Sequence, residues 1–513
     1  MRKFLALLLL LSPAVLPAQK KDKNMEKLAQ TITADDMKKH LYIIASKEME
    51  GRDTPSPGLE KAANYIEDHF KSIGLVPGNK DSYRQYYPLY RDSVVSTFFK
   101  VNGKAFDLTK DFQPQASNYT AEMRFAEIVF AGYGISDSAN RDDYKDLQVA
   151  GKLVMILDGS PADYKPSQQG NRSPASNLGK TSAAMSKGAA ALVIVNNNFP
   201  RSTFNTTSNW SMSSFRNTQT LFTFSVSPAV AATILGAESQ SIIEKVKSNT
   251  LTKKTFSAEI ELGFSKSTKS TNVSNVMGLI EGTDKKDEFI VISAHYDHVG
   301  KRNDTTIFYG ADDDGSGTTG VLELAEAFVA AKKAGKAPRR SILFLSVSGE
   351  EKGLLGSRYY SEHPVYPLEK TTVNLNIDMI GRIGTDYLKD KDSLNYIYII
   401  GDDKISTDLN PITDMVNNTY VKMKLDRKYN DPNDPNRFYF RSDHYNFAQK
   451  GVPIIFYFNG VHADYHRPTD TPDKINYPLM AQRTQLVFYT AMEMANREEM
   501  LKRDIKLEAP RGF

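Results

Sequence analysis

Residues 292–320 read ISAHYDHVGKRNDTTIFYGADDDGSGTTG, and the fold turns on this stretch. It opens inside the nearly continuous apolar run FIVISAH, the signature of a strand buried on both faces of a parallel sheet. It closes on the start of TTGVLELAEAFVAAKKAGK, whose apolar residues recur at helical spacing. A buried strand leading to an amphipathic helix is the beginning of a βαβ unit. Runs of the same texture follow in RSILFLSVS, TTVNLNIDM, NYIYIIG and VPIIFYF, with a late helix in AQRTQLVFYTAMEMANREE. The alternation predicts an α/β fold, a mostly parallel twisted sheet flanked by helices on both faces.

The polar residues of this half gather where those strands end. His295 closes the first, Glu350 and Glu351 follow FLSVSG, Asp378 ends VNLNID, and His466 lies just past the last strand. Open α/β sheets place their sites at the carboxyl ends of strands. Six of the eight histidines fall between His295 and His466, a clustering that scatter does not favour. Three adjacent carboxylates, Asp312, Asp313 and Asp314, need a partner of opposite charge, and divalent cations supply one. His295, Asp313, Glu351, Asp378 and His466 form a set of two imidazoles and three carboxylates that suits a pair of such ions, with one carboxylate between them. Glu350, next to a proposed ligand, is the expected general base. Asp297 is close enough to orient His295. His298 reads as a polar neighbour or a substrate-facing residue near the site, and His444 and His462 more as structural residues than as ligands. DDDGSG lacks the spaced carboxylates and terminal Glu of an EF-hand loop.

Upstream, Ala34-Asp35-Asp36 suits a helix start, with Leu41, Ile44 and Ala45 on one stripe. Ala62, Ala63, Ile66 and Phe70 form a second stripe that stops at Gly74, and EGRDTPSPG between them reads as a loop. From about Ala121 the texture changes to short β-rich runs, AEIVFAGYGI, GKLVMILDG and ALVIVNN, with a small-residue helix in TSAAMSKGAA and long polar loops. This stretch holds no clustered histidines and no nucleophile–base pair, so it reads as a non-catalytic, β-rich insert.

With 513 residues the chain has room for two or three domains. The start, MRKFLALLLLLSPAVLPAQ, reads as a secretory signal peptide over residues 1–18, too short for a stable membrane span, and predicts an exported protein, periplasmic or secreted. Formal charge is +4, and +2 once Arg2 and Lys3 are removed, which leaves no large positive field for nucleic acid. Cysteine is absent, so a metal must be held by His, Asp and Glu.

SAHYDHVG, YGADDDGSGTTG, SGEEKGLLGSRYY, LNIDMIGR and DYHRPTDTPDKI resemble, in order, the five metal-site blocks of the co-catalytic zinc aminopeptidases of peptidase clan MH, which include bacterial leucyl-type aminopeptidases and glutamate carboxypeptidase. The resemblance implies two zinc ions per chain, with Co2+ or Mn2+ as possible substitutes. It implies His295 and Asp378 on one ion, Glu351 and His466 on the other, Asp313 bridging, Glu350 as base and Asp297 supporting the first histidine. FAGYGISDSANRDDYKDLQVAGKLVMILDG resembles the protease-associated domain inserted in many members. The expected layout is therefore an N-terminal part of the peptidase domain at 19–115, a protease-associated insert at 116–265 and the main peptidase part at 266–513. Arg382, Asp443 and His444 lie near the site by order and are candidates for substrate contacts. The implied substrates are peptides with a free N-terminus. A carboxypeptidase or glutaminyl cyclase on the same scaffold, and a non-catalytic binding protein, remain as alternatives, and oligomeric state is left open.

Overall fold

Near-continuous apolar runs become buried strands here, and amphipathic runs become the helices that cover them. The computed structural model describes residues 21–507 apart from 139, 171–172, 213–219, 237–238 and 249–254, so the signal-peptide expectation for 1–18 lies outside the described residues. The chain divides into two units: the residues up to Tyr87 together with Asn272–Leu507, and Pro88–Thr271.

After a short helix, Lys23–Ala29, the first unit carries helices α1 (Ala34–Ile44) and α2 (Pro57–Ile73). Thr33 caps α1 through the backbone N–H of Asp36, Ser56 caps α2 through that of Leu59, and left-handed Gly74 ends α2. Strand β1 (Thr255–Ile280) enters the unit with its last residues. There follow β2 (Lys285–His295), α3 (Gly317–Lys333), β3 (Arg340–Val347), β4 (Thr371–Ile377), β5 (Tyr396–Ile400), β6 (Ile454–Phe458) and α4 (Tyr477–Asn496). Spatial order runs from the short strand Lys424–Asp426 through β5, β6, β4, β2 and β3 to β1. The β2–β3, β2–β4 and β4–β6 pairs are parallel, whereas β5–β6 and β3–β1 are antiparallel.

Alternation along each strand sends side chains to both faces. Val291, Leu343, Leu345 and Val347 share one core with Tyr360 and Phe447 of the short helices Leu355–Glu362 and His444–Gln449. Phe344 points the other way, its ring 6.0 Å from Phe328 of α3 and 6.4 Å from Phe70 of α2, and Phe328 in turn meets Phe488 of α4 at 4.9 Å. Helices therefore cover both faces, and the mostly parallel sheet brings the ends of β2, β3 and β4 to one edge.

The second unit has its own sheet. The early part of β1 pairs with Ala121–Phe130, followed by Leu153–Leu157, Ala191–Val195, Phe222–Val226 and Phe112–Pro114. It begins at Pro88 rather than near residue 116, because Phe99, Val101 and Phe112 pack into its core beside Phe222 and Phe224. Helices Asn177–Ser186, Pro228–Leu235 and Ser239–Lys247 also belong to it, so the segment read as β-rich is itself mixed α/β.

Candidate metal centre

The Asp triplet sits in a tight turn, Ala311–Ser316, between β2 and α3. Its three carboxylates diverge. Asp312 accepts from the Gly381 N–H at 2.7 Å and the Ser316 hydroxyl at 3.0 Å, with His462 Nε2 3.1 Å away. Asp314 accepts from the N–H groups of Gly317 at 2.8 Å, Met379 at 3.1 Å and His295 at 3.2 Å. The two outer aspartates thus staple the turn to neighbouring segments, and of the three only Asp313 faces His295, His298 and His466.

Asp313 presents one oxygen to each of two clusters. Oδ1 is 3.4 Å from His295 Nε2, and the same nitrogen is 3.6 Å from Asp378 Oδ1. Oδ2 is 2.9 Å from His466 Nε2, which is 3.1 Å from Glu351 Oε1. The five residues singled out from the sequence are therefore brought together. His298 joins them: its Nδ1 is 3.1 Å from Glu351 Oε1 and 3.7 Å from Asp313 Oδ2. Its reading as a mere polar neighbour is corrected by this position. The signal was the spacing in HYDH, which carries two imidazoles just past one strand end.

These groups fit a metal site by their unmet bonding. His295 Nε2, both nitrogens of His298, Asp313 Oδ2, Glu351 Oε1 and His466 Nε2 are buried without a hydrogen-bond partner. Orphaned buried polar atoms are costly, and five of these six, all but His298 Nε2, gather around Asp313, as the donors of a metal site do. The two triads His295, Asp313, Asp378 and His298, Asp313, Glu351 each place their donor atoms within 4.8 Å of one another.

The surroundings hold the donors in place. His295 Nδ1 is 3.1 Å from the main-chain carbonyl of Asp297 and 3.7 Å from its carboxylate. The backbone carbonyl, rather than the expected side chain, is thus its hydrogen-bond partner. The Asp297 carboxylate accepts from the Glu350 N–H and the Thr54 hydroxyl, both at 3.1 Å. Ser442 donates to Asp378 Oδ2 at 2.6 Å. Arg52, fully buried, donates to the carbonyls of Tyr296, Ile44, Tyr309 and Gly310 and ties the His295 loop to the start of the Asp turn. Thr54 and Arg52 lie in EGRDTPSPG, where loop composition hid their role.

Electrostatics follow the packing. Burial pushes the Glu350 carboxyl well above its ordinary range, with Glu351, Asp378 and Asp443 adding to the effect. Burial works the same way on Asp313, but the His295 and His466 contacts overcome it and hold that carboxyl well below its usual value. Asp443 is fully buried and pushed up to about 7, by desolvation first. Its field acts on Glu350, so it borders the cluster.

Two other candidates turn elsewhere. Arg382 donates to Asp464 at 2.9 Å and lies 3.6 Å from Asp470, whose other oxygen accepts from the N–H groups of Asp312 and Asp313. It thereby braces the Asp turn. His444 is fully buried, bonded through Nε2 to the Tyr439 carbonyl at 2.8 Å and stacked on Phe456. That leaves it no surface for a substrate. Asp313, Glu350 and Asp378 instead open into a pocket lined by Phe438, Phe456, Phe458, Val461, Tyr465 and Arg441.

Residues 275–491 match the model of peptidase family M28. A probable leucine aminopeptidase of Arthroderma otae is 30% identical over 226 residues, 43% of this chain and 57% of the relative. A probable glutamate carboxypeptidase of Arabidopsis thaliana is 32% identical over 120 residues, 23% of this chain and 16% of the relative. The chain thus spans little more than half of the leucine aminopeptidase and far less of the carboxypeptidase. Among solved structures, an aminopeptidase from Aneurinibacillus sp. strain AM-1 superposes with a TM-score of 0.51 at 19% identity, covering 94% of this chain and 99% of that one. At that identity the likeness concerns the fold. The family match thus lies on residues 275–491, the stretch that carries the α/β sheet and the converging donor set, and there the chain is similar to peptidase family M28.

Proposed function

We propose that the protein is an exported di-zinc aminopeptidase that removes N-terminal residues from peptides. The observation that carries this reading is Asp313, one oxygen turned to His295 and Asp378 and the other to His466 and Glu351. His295 and Asp378 would hold one ion and Glu351 and His466 the other, with Asp313 shared. Bound zinc at such a pair supplies Lewis acidity toward a carbonyl oxygen and lowers the pKa of water. The chain's own residues do the rest. Asp297 fixes the Glu350 backbone, and Ser442 fixes Asp378. Glu350 accepts the proton of the attacking water and delivers it to the departing amine, a task suited to a carboxyl raised by burial. The aromatic wall of Phe438, Phe456 and Phe458 favours a substrate with an apolar N-terminal side chain. The Pro88–Thr271 unit is proposed as a protease-associated insert, and export rests on the apolar N-terminal stretch. Among the described residues, no helix is long and apolar enough to cross a membrane.

Arg441 at the same pocket favours a second reading, a carboxypeptidase in which that cation pairs with a substrate carboxylate. Metal-reconstituted protein assayed on leucyl peptides, with free and with acetylated N-termini, separates the two. Cleavage confined to free amines supports the aminopeptidase, and equal cleavage of acetylated peptides from the C-terminus overturns it. Glu350→Gln is expected to keep its zinc and lose about 10²–10⁴ in kcat. A variant with wild-type turnover would remove Glu350 from the mechanism.

A further inference from the structure

A second cluster of metal-type donors lies in the first unit, outside the centre described above. It is built by three helices: His40 from α1, His69 from α2, and Glu323 with Glu326, one helical turn apart, from α3. His40 Nε2 is 3.4 Å and His69 Nε2 3.2 Å from Glu326 Oε1, and the three donor atoms all lie within 4.8 Å of one another. Glu323 Oε1 stands 3.8 Å from His40 Nε2. For zinc bound at about 2.0–2.1 Å, the edge of a tetrahedron of ligands is about 3.3–3.4 Å, so the spacings to Glu326 are those of a shared ion.

Four further features point the same way. The Glu323 side chain is 1% exposed, and its Oε1 has no hydrogen-bond partner, nor has His69 Nε2. Lys39, the cation in the neighbourhood, is 2.7 Å from Asp36 and paired there. His40 Nδ1 sits 2.7 Å from the Tyr65 hydroxyl, which fixes the ring and turns Nε2 toward the carboxylates, as the outer partner of a metal-bound histidine does. Glu326 is 40% exposed and leaves a path for an ion to enter.

We infer that His40, His69, Glu323 and Glu326 form a structural site for one divalent cation, of which zinc fits the two-imidazole, two-carboxylate donor set best. Two neutral imidazoles and two carboxylates carry a charge of −2, which the ion neutralises. The ion would clamp α1 and α2 onto α3, the helix that begins at the Asp313 turn. This site does not depend on the catalytic reading.

The test is zinc content by mass spectrometry after equilibration of the full chain with zinc alone, followed by a thermal melt with and without zinc. His40→Ala/His69→Ala is expected to hold one zinc fewer per chain than wild type. That difference should persist in a His295→Ala/Asp313→Ala/His466→Ala background, which removes donors from both triads of the other centre. Glu326→Gln, a near-isosteric change at a partly exposed position, keeps the fold and should weaken zinc retention at least tenfold in a chelator competition. It should also remove part of the zinc-induced rise in Tm. Equal zinc content in wild type and the double histidine variant, or Glu326→Gln with undiminished retention, would overturn the site.

Discussion

Arg52→Lys is the substitution whose effect the structure predicts most directly. The guanidinium is fully buried and donates four hydrogen bonds: 2.7 Å to Tyr296 O, 2.7 Å to Ile44 O, 2.8 Å to Tyr309 O and 2.9 Å to Gly310 O. Lysine keeps the charge but not the planar fork that reaches carbonyls on three separate segments. An ammonium at the end of the shorter reach can satisfy two of them at best, leaving two carbonyls buried and unpaired. Each such orphan costs about 1–3 kcal/mol, so the expected loss of stability is about 2–6 kcal/mol. The damage is also local, because Tyr296 lies beside His295, and Gly310 precedes the Asp turn. Urea unfolding at pH 7 gives the stability, and chelator competition gives zinc affinity at the main centre. Both should fall together. A variant that loses less than about 1 kcal/mol and binds zinc as wild type would refute the idea that this one side chain organises the two loops.

Asp297→Ala strips the acceptor from the Glu350 N–H and the Thr54 hydroxyl, and metal affinity should drop about 10–100-fold in the same competition assay. His444, held by burial at about 3 against an ordinary 6.5, resists protonation in the folded state. Its contribution is complete above pH 6.5 and is lost as pH falls toward 3, by about 1.4 kcal/mol per unit. Wild type should therefore lose about 2 kcal/mol more stability than His444→Phe between pH 6.5 and 5, and parallel urea curves for the two would contradict this. In the Pro88–Thr271 unit, Phe224→Ala opens the aromatic cluster with Phe99 and Phe112, at about 3–5 kcal/mol. Limited proteolysis should then cut that unit faster, and an unchanged cleavage rate would count against the packing argument.

Local sequence chemistry determined a good deal. Apolar runs such as FIVISAH and RSILFLSVS can only be strands buried on both faces, and TTGVLELAEAFVAAKK can only cover them as a helix, so the α/β sheet was legible. The donor residues were legible too, since polar side chains ending apolar runs stand out against their surroundings. Tertiary structure decided the rest. Which of three adjacent aspartates faces the histidines depends on hydrogen bonds to Gly381, Met379 and Ser316, far along the chain or on the next turn. His298 joined the cluster, and His444 turned away from the substrate pocket, because burial and side-chain direction are properties of packing. Arg52 and Thr54 sat in a segment read as a loop, and nothing local singled out His40 or His69, because Tyr296, Asp297 and Glu326, which they meet, lie more than two hundred residues away. Sequence period fixes what a segment buries, while contacts between distant segments fix what each polar atom meets.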